Sequence, residues 1–245
     1  MTDFVNTAPP QPADLAPLPG GPALRRRTFL RVAGASAASA ALVLAGCGKD
    51  EPTPVVPPDP NLIVLQGGDV GLLNYCFLLK QLEVALYQIV VTTYPADFGA
   101  DDRALFADLR DHEVIHRQTL GTLLGDAFLP ALAFNFSSFA LGTRAGVLAA
   151  AQRLEDLGTG LLAGALPLFD NAGLRQLLTK MLSVEARHAA LVRDLAASGS
   201  FAGPDVVPPA TGLHQALSPT AGNALLAPYI VPIVVSVVNL PVPTV

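Results

Sequence analysis

Glu83 is followed thirty residues later by Glu113-Val114-Ile115-His116, and Glu155 in the same chain is followed thirty residues later by Glu185-Ala186-Arg187-His188. The pattern E…ExxH therefore occurs twice, with identical internal spacing. Its surroundings read as helix, because apolar residues recur at intervals of three and four and so mark one face. Over about 69–93 the stripe is Leu72, Cys76, Leu79, Leu86 and Val90, with Glu83 inside it. Over about 101–124 it is Phe106, Leu109, Leu120 and Leu123, enclosing Glu113 and His116. A third helix, about 143–168, flanks Glu155 with Leu148, Ala151, Leu162 and Leu166. A fourth, about 172–197, carries Leu174, Leu177, Leu178, Met181, Leu182 and Val192 beside Glu185 and His188.

Four glutamates and two histidines thus point into a core that is otherwise apolar. A buried carboxylate is costly unless it is paired, hydrogen-bonded or metal-bound. Four of them together repel and disfavour ionisation. Arg110, Arg117, Arg153 and Arg187 fall on other faces, so the arginines and lysines offer no obvious remedy. Two divalent metals would balance four carboxylates, with neutral imidazoles completing the shell. One Glu from each of two helices plus Glu-x-x-His from each of the other two is the ligand set that holds two iron or manganese ions inside a four-helix bundle. The metal candidates are therefore Glu83, Glu113, His116, Glu155, Glu185 and His188. Glutamate usage agrees: the chain has five, and only Glu51 lies outside the pattern.

The spacing also sets heights. Phe98 lies midway between Glu83 and Glu113, and Asp170 midway between Glu155 and Glu185; both sit in turn-forming sequence. Two antiparallel helices joined at such a turn bring equidistant residues to one level. Each pair then lies roughly 18 Å from its turn, near mid-bundle. The link over about 125–142 is longer than a simple reversal needs. Extended, it reaches roughly 55–60 Å against roughly 36 Å for a helix of that size, so it can cross the length of the bundle. After about residue 199 the helical pattern stops. The segment 201–245 has no charged residue beyond Asp205 and includes the β-prone run Ile233-Val234-Val235-Ser236-Val237-Val238. It is expected to be an irregular apolar extension packed on the bundle or on a partner subunit.

The chain has 245 residues, 51% hydrophobic and 14% charged, with formal net charge −5. Beyond residue 46 the balance is eleven basic against eighteen acidic residues. That excludes a nucleic-acid surface, which needs clustered Lys and Arg. The N-terminus reads as an address. Arg26 and Arg27 open an R-R-x-F-L sequence resembling a twin-arginine export signal, followed by a short apolar run and by Leu44-Ala45-Gly46-Cys47, which looks like a bacterial lipobox. Residues 1–46 are then a removable signal, and Cys47 carries lipid. The Pro-rich stretch 47–61 is a tether that holds the rest roughly 40 Å from a membrane. The other cysteine, Cys76, is read as a small buried hydrophobe, so no intramolecular disulfide is expected. The expected location is the periplasm or cell envelope, with the export machinery and the membrane as partners, no nucleic acid, and a homo-oligomer as an open option.

Over residues 62–200 the chain resembles the ferritin-like superfamily, most closely its exported bacterial, desiccation-related branch. The phrases that carry the likeness are Leu73-Asn74-Tyr75, Leu82-Glu83 through Tyr87, His112-Glu113-Val114-Ile115-His116, Leu154-Glu155-Asp156 and Val184-Glu185-Ala186-Arg187-His188-Ala189-Ala190. The resemblance implies an all-α, four-helix bundle with a long crossover between the second and third helices. It implies two metals, usually iron, with Glu113 and Glu185 as bridges, and chemistry among ferroxidation, peroxide removal and oxygenation under oxidative stress. Tyr87 is placed to hydrogen-bond a ligand carboxylate or pass electrons; the plainer reading is a core tyrosine with its hydroxyl satisfied. Gly158 and Thr159 are small and leave room for dioxygen. Asp156 is expected to face solvent, and His112 to lie off the site or behind it. Two rival readings stay open. His112-Glu113-Val114-Ile115-His116 also fits H-E-x-x-H, a zinc-protease motif with Glu113 as base. The bundle could also be a non-catalytic, stress-protective scaffold.

Overall fold

The computed structural model describes residues 59–242. The export signal, Cys47 and most of the tether lie outside them. Four long helices follow in order: α1 (Gly68–Thr92), α2 (Ala100–Leu124), α3 (Arg144–Ala165) and α4 (Ala172–Ala196). α1 packs along α2 and α3 along α4, giving two hairpins. Three of the four starts have a local cause. Asp102 reaches back to accept from Gly99 N at 3.1 Å, ahead of α2. Thr143 caps α3 through Gly146 N, and Asn171 caps α4 through Gly173 N and Leu174 N. Gly125, at φ 56°, ends α2 in a conformation glycine adopts freely.

The crossover is settled by its hydrogen bonds. It leaves α2 beside the start of α1, where Asn74 Nδ2 donates to Ala127 O and Asn74 Oδ1 accepts from Leu129 N, both at 2.8 Å. Farther along α1, Gln81 Nε2 donates to Pro130 O at 3.1 Å and Gln81 Oε1 accepts from Leu132 N at 3.0 Å. Two amide side chains thus serve the crossover as a sheet edge would. The link ends beside the α1–α2 turn, where Arg144 N donates to the Asp97 carboxylate at 2.9 Å. At the opposite end, Asp170 N and Asn171 N donate to Asp69 at the start of α1. α1 and α4 therefore run one way, α2 and α3 the other.

The C-terminal extension packs on this bundle and is more regular than expected. Leu217 N donates to Gly160 O at 2.9 Å. α5 (Pro219–Leu226) follows, with Tyr75 Oη donating to Pro219 O at 3.1 Å. The β-prone run supplies β2 (Val234–Ser236), which pairs in parallel with β1 (Leu62–Val64), Leu62 opposite Val234. The stretch beginning at residue 62, expected to belong to the bundle, thus opens with a strand that only the distant extension can pair. The crossover and the extension together cover α1, which is buried on nearly every side. This accounts for a helix long and apolar enough to cross a membrane by length and composition alone.

Candidate metal centre

At mid-height the four helices place Glu83, Glu113, Glu155 and Glu185 around one point, each 0% exposed. The matched heights follow from the matched spacings, as expected. His188 is buried beside them, and His116 lies at the edge with its side chain 13% exposed.

One residue of the cluster was not anticipated. Lys80, also 0% exposed, directs its ammonium into the cluster, 2.5 Å from Glu83 Oε2, 2.8 Å from Glu113 Oε2 and 2.5 Å from Glu185 Oε2. The expectation that no basic residue offsets these carboxylates is therefore corrected. The arginines do face elsewhere, but Lys80 lies three residues before Glu83 and shares its face. A signal existed: between Val70 and Tyr94 the only charged residues are Lys80 and Glu83.

Glu113 and Glu185, expected to bridge two metals, each pair here with Lys80 and with one histidine. Glu113 reaches Lys80 with one oxygen and, with the other, approaches His188 Nδ1 at 3.0 Å. Glu185 reaches Lys80 with one oxygen and His116 Nδ1 with the other, at 2.7 Å. Tyr87 Oη donates to Glu155 Oε1 at 2.5 Å, so its hydroxyl is satisfied by a member of the cluster. Glu155 Oε2 and Glu83 Oε1, both buried, have no hydrogen-bond partner.

Electrostatics follow from this crowding. Burial, reinforced by Glu113 and Glu185, drives the Glu155 carboxyl well above the usual range. Burial likewise raises Glu83, although Lys80 opposes it. Burial works against the Glu113 carboxylate too, but Lys80, His116 and His188 outweigh it and hold Glu113 low. Burial disfavours charge on Lys80, yet Glu113, Glu185 and Glu83 keep it an ammonium. His116 rises to about 9, its hydrogen bonds to Glu113 and Glu185 overcoming burial.

The donor set fits a cation. Glu113, Glu155, Glu185 and His188 each offer a ligand atom, and these atoms lie within 4.8 Å of one another. They are three oxygens and one imidazole nitrogen, and the unpartnered Glu155 Oε2 lies 3.8 Å from His188 Nδ1. Carboxylate and imidazole donors of this kind suit a divalent metal ion. Among the described residues this group includes neither Glu83, which holds Lys80, nor His116.

The neighbouring residues fall out as follows. His112 lies behind His188: its Nδ1 is 3.0 Å from His188 Nε2 and the rings stack at 5.2 Å. His112 itself is exposed, so it connects the core to the surface. The group that could hold an ion omits both His112 and His116, the two zinc ligands that an H-E-x-x-H protease needs. The space at Gly158 is filled by Glu83, since a Cβ there would stand 2.4 Å from Glu83 Oε1. It is not a pocket for dioxygen. Thr159 is buried with its hydroxyl unpartnered. Asp156, expected in solvent, is instead half-buried and paired with the buried Arg193 at 2.6 Å. Arg193 also binds Asp205 and so ties the start of the extension to α3. Cys76 is buried, as expected.

No curated protein matches the chain. A family model described as a ferritin-like domain matches residues 68–198, more than half of the sequence. The match begins with α1 and ends just beyond α4, so it coincides with the bundle and leaves out the tether and the extension. With its four helices, full-length crossover and buried Glu/His cluster, the chain belongs to the ferritin-like domain family.

Proposed function

We propose that the protein is an exported, lipid-anchored ferritin-like protein whose core holds iron or manganese and which oxidises ferrous iron, or consumes oxygen or peroxide, under oxidative or desiccation stress. The observation that carries this is the convergence of Glu113, Glu155, Glu185 and His188 in a dry core, with a Glu155 oxygen left unpartnered. A redox-active metal bound there would supply electron exchange with oxygen or peroxide. The expected pair of ions would draw on Glu83 and His116 as well. The chain's own residues do the rest. Tyr87 orients Glu155 through its hydroxyl. His112 fixes the ring of His188 and links it to the surface, as outer partners of metal-binding histidines do. Apolar walls around α1 keep bulk water from the cluster.

Oxidation of ferrous iron by the purified chain, followed optically under oxygen or peroxide, tests the reading. Glu185→Ala should lower the rate by at least about tenfold. Equal rates in wild type and variant would refute it. Export and anchoring rest on Arg26, Arg27 and Cys47 in their required order. Cys47→Ser should move the protein from membrane to soluble fractions, and replacing both arginines with lysine should keep the precursor inside the cell.

A second reading has one observation in its favour. Lys80 already offsets part of the cluster, so the bundle holds an internal cation before any metal enters. A stress-protective scaffold would need no more. It predicts no rate above that of free iron.

A further inference from the structure

We propose that the Lys80 ammonium permanently takes the place of one of the two cations, so that the site accepts a single metal ion, on Glu113, Glu155, Glu185 and His188. This rests on the reading that the cluster binds metal, and it fixes the number and the location.

The six residues divide into two halves. One comprises Glu83, Glu113, Glu185 and His116; the other comprises Glu155, Glu113, Glu185 and His188. Lys80 Nζ stands in the first, 2.5–2.8 Å from an oxygen of Glu83, Glu113 and Glu185. An ammonium has three donors and no acceptor, and three carboxylates meet it. A metal on the same oxygens would need that same volume. Lys80 also has no retreat. It is 0% exposed on a helix covered by its neighbours, the crossover and the extension. To leave, it would carry its charge into apolar side chains, which is strongly unfavourable.

The second half is different. The ammonium touches Glu113 and Glu185, which both halves share, but it pairs with neither Glu155 nor His188, and there the buried, unpartnered Glu155 Oε2 faces His188 Nδ1 at 3.8 Å. Charge agrees with one ion. Four carboxylates are balanced by Lys80, one divalent ion and one proton. Lys80 with two divalent ions overshoots by one. Gly158 completes the arrangement by letting Glu83 lie back against α3, where a Cβ would stand 2.4 Å from its Oε1.

The test is metal content per chain. The full-length protein is stripped with chelator, equilibrated anaerobically with Fe(II) or Mn(II), desalted and analysed by atomic emission. Wild type should hold one ion and Lys80→Met two. Two ions in wild type would overturn the inference while leaving the metal-binding reading intact. One ion in Lys80→Met would overturn it too. No metal in wild type would remove the reading beneath it. A second pair of variants keeps the test decisive even if Lys80→Met does not fold. Glu155→Gln should weaken binding by more than about tenfold, whereas Glu83→Gln should retain one ion with affinity changed by no more than about tenfold. Equal losses in both would show that Glu83 binds the metal and would contradict the assignment.

Discussion

The α1–α2 hairpin and the α3–α4 hairpin carry the same E…ExxH pattern, yet they bring different neighbours to it. The offset that takes Glu83 to Glu155 takes Lys80 to Gln152, Leu86 to Gly158, Tyr87 to Thr159 and His112 to Val184. Lys80 is fully buried among carboxylates, whereas Gln152 is only partly buried. Tyr87 donates to Glu155 across the bundle, whereas the Thr159 hydroxyl has no partner. The first hairpin therefore supplies a cation, a hydroxyl donor and an imidazole prop. The second supplies most of the open donor set and the glycine that makes room for Glu83. Repetition of ligands fixes where charges gather, but the residues one turn away decide what neutralises them.

Each contrast can be broken by substitution at equivalent positions. The largest effect is expected at Lys80. In metal-free protein, Lys80→Met leaves three buried carboxylates without their ammonium and should cost about 3–5 kcal/mol in urea unfolding. Gln152→Met should stay within about 0.5 kcal/mol. Comparable losses at the two positions would erase the asymmetry. Next comes Tyr87→Phe, which removes a buried hydrogen bond to a carboxyl and should cost about 1.5–3 kcal/mol. Thr159→Val discards only an unpartnered hydroxyl and should be neutral or mildly stabilising by the same measurement.

Gly158→Ala drives a methyl into the Glu83 carboxylate and should cost about 1–3 kcal/mol. A crystal structure of that variant should show Glu83 displaced from Lys80. The smallest effect belongs to the tie between the hairpins, Asp102 with Arg144 at 2.9 Å. Hydrogen bonding from Arg144 lowers the Asp102 pKa in the folded protein. Its contribution is therefore full above the unfolded value of about 3.9 and is lost as pH falls through the lower folded value. Asp102→Asn should flatten the acid limb of stability by less than about 1 kcal/mol, as for other surface pairs. No change between pH 5 and pH 2 would show that the tie contributes nothing.

Much of this was legible in the sequence. Stripes and turn chemistry locate all four helices within a few residues, because burial of one face imposes its period on the chain. Equal thirty-residue spacings place four glutamates at one level because helical rise is constant. Other features depend on partners that periodicity does not name. Asn74 and Gln81 hold the crossover through amide–backbone bonds, and nothing in their spacing announces it. β1 exists only because β2, far along the chain, lies beside it. Asp156, adjacent to Glu155, reads from the sequence as a solvent-facing residue, but Arg193 on the next helix captures it. Lys80 was legible in principle: a lone ammonium in an apolar helix, one turn before a core glutamate, must find carboxylates or be exposed.

The most direct test of a metal-holding core is anomalous diffraction from crystals of the full-length protein equilibrated with Mn(II) or, anaerobically, Fe(II). The account predicts a peak bound by Glu113, Glu155, Glu185 and His188, with Lys80 still seated between Glu83, Glu113 and Glu185. A bundle core without any peak, or metal bound only by residues outside that set, would contradict it.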